Sequence, residues 1–329
     1  MTLLAPVLIT GATGFVGGHL AEDLTRRGMR VRLLVRDPRR LTYPLNRRME
    51  VVRGDVTDAT SLEAALRGVH SVVHLAAILR GLRYSDYERV NVEGTRLLCE
   101  AMVREKGARR LVYVSSLAAA GPSRRGKPLT EEDEAHPVSF YGITKRKGEE
   151  TVQSYGRRLD VRIVRPAAVY GPRDRDVLQY FKMVRQGMVF LHGDGKQEMS
   201  FVHVLDLVQA IRLVLESRTS RNQIFFVSGG PVVAWGDLLS AAGRAMGKRF
   251  VTVKVPLPLV RAVAAVADGV GRLRRKPTIL NLDKVKEARC EAWTCSDAKA
   301  RRKLGYRPRF DLERGVTDTM AFYRKAGWL

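Results

Sequence analysis

Residues 7–18 read Val7-Leu8-Ile9-Thr10-Gly11-Ala12-Thr13-Gly14-Phe15-Val16-Gly17-Gly18, and this order decides the fold. A short β-prone run enters a Gly-x-x-Gly-x-x-Gly turn, and an amphipathic helical pattern follows. A helix starting near Phe15 presents unpaired N–H groups and the positive end of its dipole, which suits a pyrophosphate. Each glycine has its own geometric reason: Gly11 permits the tight turn, Gly14 lets the backbone approach phosphates, and Gly17 lets the helix lie close on the strand. Thr13, Phe15 and Val16 share the turn and are expected to line the same dinucleotide site. A strand, turn and helix with incidental glycines is the alternative that the flanking sequence has to exclude.

Outward from this stretch, strand-like runs alternate with helical ones at Val7–Thr10, Arg30–Val35, Glu50–Val52, Ser71–Leu75, Leu111–Ser115 and Val161–Arg165. Repeated βαβ units with right-handed crossovers predict an α/β Rossmann fold, a doubly wound parallel sheet with its ligand crevice at the carboxyl ends of the strands. Past Gly171-Pro172 the alternation loosens. A strand into Phe201–Val204, a helix from Leu205 to about Glu216 and a strand at Gln223–Val227 are expected to return to the sheet. This divides the chain into a dinucleotide-binding unit, 1–170 plus about 201–228, and a smaller discontinuous C-terminal substrate lobe, about 171–200 plus 229–329.

The 329 residues, 45% hydrophobic, can bury a sizeable core. There is no basic N-terminal region followed by a long apolar run, and no stretch of about 18 uninterrupted apolar residues, so a soluble, unprocessed, cytoplasmic protein is expected. Cys99, Cys290 and Cys295 are odd in number and lack metal-site spacing, which predicts reduced thiols and no metal site. The net charge of +24, from 58 basic and 34 acidic residues, attracts polyanions without naming one. No zinc finger, RNA-recognition signature or aromatic-interleaved basic run is present, so no specific nucleic-acid partner is expected.

The strand ends carry the chemistry. After the second strand Val35 stands where a carboxylate would accept from a ribose 2′-OH, and Arg36 follows, able to grip a 2′-phosphate and backed by Arg39 and Arg40. NADP(H) is therefore favoured, with NAD(H) the alternative; Asp37 complicates the choice unless Pro38 turns it outward. After the third strand, Asp55 can accept from an adenine amino group while Val56 packs on the ring, or the same Asp serves as the N-cap of a helix at 59–67. His74 sits in an apolar run and reads as a packed core histidine. Leu75, Ala76 and Ala77 let a ribose approach, and Asn91 is placed to tie neighbouring elements together. Tyr141 and Lys145 are four residues apart on one helix and project from one face, with Ser115 and Ser116 at a facing strand end. A free tyrosine titrates near 10, so acid–base work near neutrality needs a shift of about 3 units, which Lys145 and an oxidised nicotinamide would supply.

These motifs together, with Asn91-Val92-Glu93-Gly94-Thr95 and Arg165-Pro166-Ala167-Ala168-Val169-Tyr170-Gly171-Pro172, resemble the extended short-chain dehydrogenase/reductase superfamily over nearly the full chain. The resemblance is to its NAD-dependent epimerase/dehydratase family, in the style of 3β-hydroxysteroid dehydrogenase-like and dihydroflavonol reductase-like members. It implies an NAD(P)-dependent enzyme with Tyr141 as general acid/base, Lys145 lowering its pKa and holding the ribose, and Ser116 polarising the substrate. Ser116, 25 residues before Tyr141, is preferred to Ser115, which joins Pro166, Ala168 and Val169 as cofactor-binding positions. The resemblance also implies a homodimer through helices 84–106 and 139–157.

Three departures separate the chain from the sugar-nucleotide enzymes of that family: Ala168 replaces an Asn, Met199 an Arg, and Lys286-Glu287-Ala288-Arg289 an Arg-Pro-Gly-Asp. A small-molecule substrate of apolar, steroid-like or lipid-like character is therefore expected, oxidised or reduced at a secondary alcohol or ketone. A sugar-nucleotide epimerase or dehydratase and a non-catalytic dinucleotide-binding regulator are the competing readings. The run Leu257 to Lys276, apolar and ending in four cations, reads first as a buried lobe helix whose basic end suits its dipole. Lying at an anionic membrane surface, or covering an apolar pocket, are its other readings.

Overall fold

The computed structural model describes residues 6–192, 195–274, 276–278 and 281–329. Its strands in chain order are β1 (Val7–Thr10), β2 (Val31–Val35), β3 (Met49–Arg53), β4 (Ser71–His74), β5 (Arg110–Val114), β6 (Asp160–Pro166), β7 (Ala168–Tyr170), β8 (Met188–His192), β9 (Glu198–Met199), β10 (Phe201–His203), β11 (Gln223–Val227), β12 (Val233–Ala234), β13 (Val251–Val255) and β14 (Ala292–Trp293). The α-helices are α1 (Phe15–Arg26), α2 (Ala59–Leu66), α3 (Tyr84–Glu88), α4 (Gly94–Glu105), α5 (Leu117–Ala120), α6 (Phe140–Ser154), α7 (Asp176–Gln186), α8 (Val204–Glu216), α9 (Trp235–Met246), α10 (Leu257–Leu273), α11 (Leu282–Ala288), α12 (Ala298–Leu304) and α13 (Leu312–Lys325).

One seven-stranded sheet runs β11-β6-β5-β4-β1-β2-β3, every neighbouring pair parallel. Its strands are apolar on both sides because helices cover both faces. Val7 and Ile9 point into one core with Leu20 and Leu24 of α1 and Leu207 and Ile211 of α8. Leu8 points into the other, with Leu62 and Leu66 of α2 and Leu98 and Met102 of α4. Each such side chain contributes roughly 1.5–3 kcal/mol by leaving water. From β1 the chain winds outward through β2 and β3, then restarts at β4 on the other side of β1, so a crevice opens at the carboxyl ends where the order reverses.

Two expectations are corrected. The strand at 201–203 does not return to the main sheet: β10 pairs with β7, and β11 takes the edge beside β6. Helix α8 starts at Val204, directly after β10, so this strand is too short to reach further. The run at 257–273 is a helix, but not a buried one, since only Ala264 and Gly271 along it are buried. Arg275 of its basic end lies outside the described residues. Among the described residues no helix is long and apolar enough to cross a membrane.

Candidate active site

The glycine turn is closed from behind and open in front. Gly11 has φ +73°, and a Cβ there would lie 2.7 Å from the Ala76 nitrogen and from the Leu75 carbonyl carbon. A Cβ on Gly17 would lie 2.3 Å from the Gly11 oxygen, so α1 could not sit on the turn with any other residue. Gly14 is exposed and precedes α1 without a side-chain cap, and the first turn of this twelve-residue helix carries no acid. The N–H groups beside Thr13, Phe15 and Val16 thus remain available to an anion, and this donor set fits a dinucleotide pyrophosphate.

At the rim, Val35 is buried and Arg36 is exposed, its Nη1 3.9 Å from Asp55 Oδ2. Arg39 does not stand free behind Arg36 as the sequence suggested. Asp37 accepts from its backbone N–H at 3.1 Å and its Nε at 2.9 Å, which caps the short turn at 38–40. These hydrogen bonds hold the Asp37 carboxyl below its ordinary value. The two aspartates of the next loop have separate tasks: Asp58 caps α2 by accepting from Thr60 and Ser61, while Asp55 accepts from Thr57 N at 2.9 Å and Thr57 Oγ1 at 3.0 Å. Val56 is buried, and a Cβ on Gly94 would touch its Cγ2 at 3.0 Å.

Behind the crevice, Thr10 holds the loop after β4: its carbonyl accepts from Leu75 N at 3.2 Å and its Oγ1 accepts from Ala76 N at 3.2 Å. The buried His74 ring meets Thr10 Oγ1 at 2.6 Å through Nδ1 and Thr95 Oγ1 at 3.0 Å through Nε2. Burial lowers its pKa to about 3, so it is a neutral core residue. Asn91 pairs with both backbone groups of Ile78, at 2.9 and 3.2 Å, and donates to Thr144 Oγ1 at 3.1 Å. The loop carrying Leu75, Ala76 and Ala77 is thereby fastened to α6.

Helix α6 brings the reactive groups together. Ser139 caps it by accepting from Gly142 N, and both Asp283 carboxylate oxygens lie 2.9 Å from Phe140 N. Gly142 allows contact with α5, since a Cβ there would be 2.3 Å from the Ala118 oxygen. Gly148 does the same against Tyr113, whose hydroxyl would be 2.2 Å away. Farther along, Glu149 forms a buried two-bond pair with Arg165 of β6, at 2.8 and 2.6 Å.

On this helix Tyr141 is half-buried, and Ser116, whose hydroxyl acts on its phenol, caps α5 by accepting from Ala118 N at 3.1 Å. Burial pushes the phenol up to about 12 against the lowering effect of Ser116. Lys145 is buried one turn on; its Nζ donates to the Val114 carbonyl at 2.8 Å and stands 4.1 Å from the centre of the Tyr113 ring. Burial lowers it to about 7, opposed by Glu149. Its ammonium is turned to the end of β5, where the Val114 carbonyl supplies the partner that a buried cation requires. Ser115 lies between, its buried Oγ without a hydrogen-bond partner among the described residues. Pro166 ends β6, and Ala168 and Val169 follow on β7, half-buried. Ala168 carries no polar side-chain atom, and Met199 is buried in the apolar cluster that also holds Val7 and Ile9.

Helix α11 supplies residues that sequence reasoning missed. Lys284 Nζ lies 5.6 Å from the centre of the Tyr141 ring and 2.7 Å from Glu287 Oε2, and Glu287 raises the phenol further. In the sequence, residues 286–289 of this region stand out only as a replaced motif. Its one local signal is Asn281, which caps α11 by accepting from Lys284 N at 2.8 Å.

Comparison with known proteins gives the family and the fold. The family model described as NAD dependent epimerase/dehydratase family matches residues 7–228. A ceramide reductase of Caulobacter vibrioides is 33% identical over 98% of this chain and 96% of its own length. A 3 beta-hydroxysteroid dehydrogenase/Delta 5-->4-isomerase of Mycobacterium tuberculosis is 29% identical over 98% of this chain and 91% of its own. Among solved structures, MoeE5 in complex with UDP-glucuronic acid and NAD superposes with a TM-score of 0.80 at 27% identity, over 98% of this chain and 99% of that one.

Proposed function

The chain belongs to the NAD-dependent epimerase/dehydratase family, and from that premise we propose that it transfers a hydride between a nicotinamide dinucleotide and a secondary alcohol or ketone of an apolar, steroid-like or lipid-like substrate. The observation that carries this reading is the gathering of Ser116, Tyr141 and Lys145 about the carboxyl end of β5, in the parallel sheet whose β1 ends in the glycine turn. When bound, the dinucleotide supplies the hydride acceptor or donor and, oxidised, a positive charge beside the phenol. In oxidation Tyr141, as phenolate, takes the hydroxyl proton while the carbinol hydrogen leaves as hydride; in reduction Tyr141 returns that proton to the carbonyl oxygen. Ser116 holds the same oxygen through its hydroxyl. Lys145 orients the end of β5 and donates to the ribose. Gly11, Gly14 and Gly17 hold the pyrophosphate, Asp55 and Val56 the adenine, and Leu75, Ala76, Ala77, Ser115, Pro166, Ala168 and Val169 the nicotinamide half.

The apolar substrate is supported by Ala168 and the buried Met199, which offer a nucleotide diphosphate no polar partner, and by relatives named for ceramide and a 3β-hydroxysteroid. Sugar-nucleotide epimerisation is the second reading, supported by MoeE5, whose complex holds UDP-glucuronic acid and NAD. NADP(H) is favoured over NAD(H) because Val35 offers no carboxylate to a ribose 2′-OH, while Arg36 is exposed and only loosely paired. The division into a dinucleotide unit and a substrate lobe, and a homodimer through 84–106 and 139–157, complete the proposal. Light scattering that finds only monomer at micromolar concentration removes the dimer.

The deciding experiment is Tyr141→Phe, which deletes only the ionisable oxygen. Dinucleotide affinity is expected to stay within about threefold while turnover falls by about 10²–10⁴-fold. Near-wild-type turnover would remove Tyr141 from the chemistry.

A further inference from the structure

Helix α10 exposes the side chains that a lobe helix ordinarily buries. Leu259, Val263, Val266, Val270 and Leu273 are spaced four, three, four and three residues apart, which aligns them along one helical face. All five are exposed, Val266 at 68% and Leu273 at 85%. Only Pro256 separates α10 from β13, which pairs with β8, and there Met188, Phe190 and Val251 are exposed as well. Exposed apolar side chains thus form a row along the helix and recur on the two-stranded sheet that leads into it, more than the scattered apolar residues of an ordinary surface.

The charge around this surface identifies its occupant. From 248 to 276 the sequence carries eight Lys or Arg residues against one acid, Asp268. Arg272, Arg274 and Lys276 cluster exposed at the end of the apolar row. Asp268 is engaged with the start of α11, accepting from Leu282 N at 3.1 Å. A second copy of the chain would bring two basic clusters together, whereas an anionic bilayer offers acyl chains to the apolar row and headgroups to the cations.

The inner side of α10 leads to the active site. A Cβ on Gly271 would be 3.6 Å from Leu82 Cδ2, and Asp268 ties α10 to the start of α11. Helix α11 in turn places Asp283 on Phe140 N and Lys284 beside Tyr141. We propose that the face formed by α10 with β8 and β13 docks on an anionic phospholipid membrane, and that substrate reaches Tyr141 from the bilayer past α10 and α11. Docking is independent of the reaction; delivery rests on the alcohol–ketone reading given above.

The test replaces Val263, Val266 and Leu273 together by Ser, which leaves the net charge unchanged and alters only exposed positions. Co-flotation is measured with vesicles of phosphatidylcholine and phosphatidylglycerol at about three to one, near physiological salt, where surface fields are screened within about 8 Å. The wild type should bind these vesicles at least tenfold better than pure phosphatidylcholine, and the triple variant should lose about tenfold or more. A tryptophan introduced by Val266→Trp should shift to the blue on binding. Unchanged flotation of the triple variant would show attraction by net charge alone and overturn docking. So would self-association in light scattering that the same substitutions abolish, since a second copy would then cover the face. For delivery, the triple variant should lose turnover of a vesicle-borne hydroxy-lipid while keeping that of a water-soluble short-chain alcohol; equal loss on both refutes delivery. Vesicle binding without turnover of either substrate by the wild type counts against the alcohol–ketone reading and leaves docking standing.

Discussion

Replacing Gly142 by Ala tests whether the approach of α6 to α5 sets the reactive geometry. A Cβ at 142 would lie 2.3 Å from the Ala118 oxygen, 3.1 Å from the Ala118 carbon and 3.2 Å from Pro137 Cβ. Relieving this needs an opening of about 1 Å, because optimal carbon contacts lie near 3.5–4.0 Å, and the obstructing atom is backbone that cannot swing away. Alanine gains about 0.5–1 kcal/mol over glycine inside a helix, but overpacking costs about 1–3 kcal/mol, so the net effect is destabilising. The fold should survive with a melting temperature lower by a few degrees. The opening separates Ser116, which caps α5, from Tyr141, which lies beside Gly142 on α6. A displacement of about 1 Å costs on the order of 10²-fold in rate. Dinucleotide binding should fall less than the rate, since the glycine turn that holds the pyrophosphate belongs to β1 and α1 and only the ribose contact of Lys145 moves with α6. Steady-state rates followed by dinucleotide absorbance, cofactor titration by fluorescence and a melting curve together check this. A variant that melts lower but keeps kcat/KM within about twofold of wild type would show that the spacing between Ser116 and Tyr141 does not limit the reaction.

Lys145→Met should abolish turnover yet raise the melting temperature at pH 7, because removing a charge that burial disfavours outweighs the lost hydrogen bond to Val114 and the lost contact with the Tyr113 ring. Since folding lowers Lys145 from 10.5 to about 7, the unfolded chain holds more protons between those values and Lys145's penalty fades as pH rises. The gap in melting temperature between variant and wild type should therefore shrink from pH 7 to pH 10.5, and a gap that grows would contradict the assigned burial. Arg36→Ala should weaken NADP(H) by about tenfold or more and NAD(H) far less; equal losses in calorimetry would make Arg36 part of the loop alone. UDP should bind no better than on the order of millimolar near physiological salt. Micromolar binding lost on changing lobe residues would put the sugar-nucleotide reading first.

Local patterns made the main sheet and the glycine turn legible, because strand period, turn glycines and helix caps act over a few residues. Tyr141 and Lys145 were legible as a pair because helical spacing alone puts them on one face. Which partner Lys145 meets was not, since Val114 lies 31 positions away and the choice depends on the local field. The same limit hid α11: Asp283 meets Phe140 across 143 positions, and no periodicity announces it. The pairing of β10 with β7 instead of the sheet was hidden because a three-residue strand carries too little pattern to choose a neighbour. The exposure of α10 was misjudged because an apolar run looks alike whether a core or another apolar phase covers it.

The hydrogen bonds around His74 fix the proton positions on its ring. Thr95 gives its only hydroxyl hydrogen to the Asn91 carbonyl at 2.8 Å, so it can only accept from Nε2, which must carry the imidazole hydrogen. Nδ1 is then bare and takes the Thr10 hydroxyl hydrogen, while that oxygen receives the Ala76 N–H. From Ala76 through Thr10, His74 and Thr95 to Asn91, every donor points the same way, and such aligned dipoles strengthen one another. A single tautomer therefore propagates from the strand behind the glycine turn to the helical segment that holds Ile78 and Thr144. Thr10→Val or Thr95→Val would break this polarity at either end, loosening the loop at Ala76 without removing any group that touches substrate.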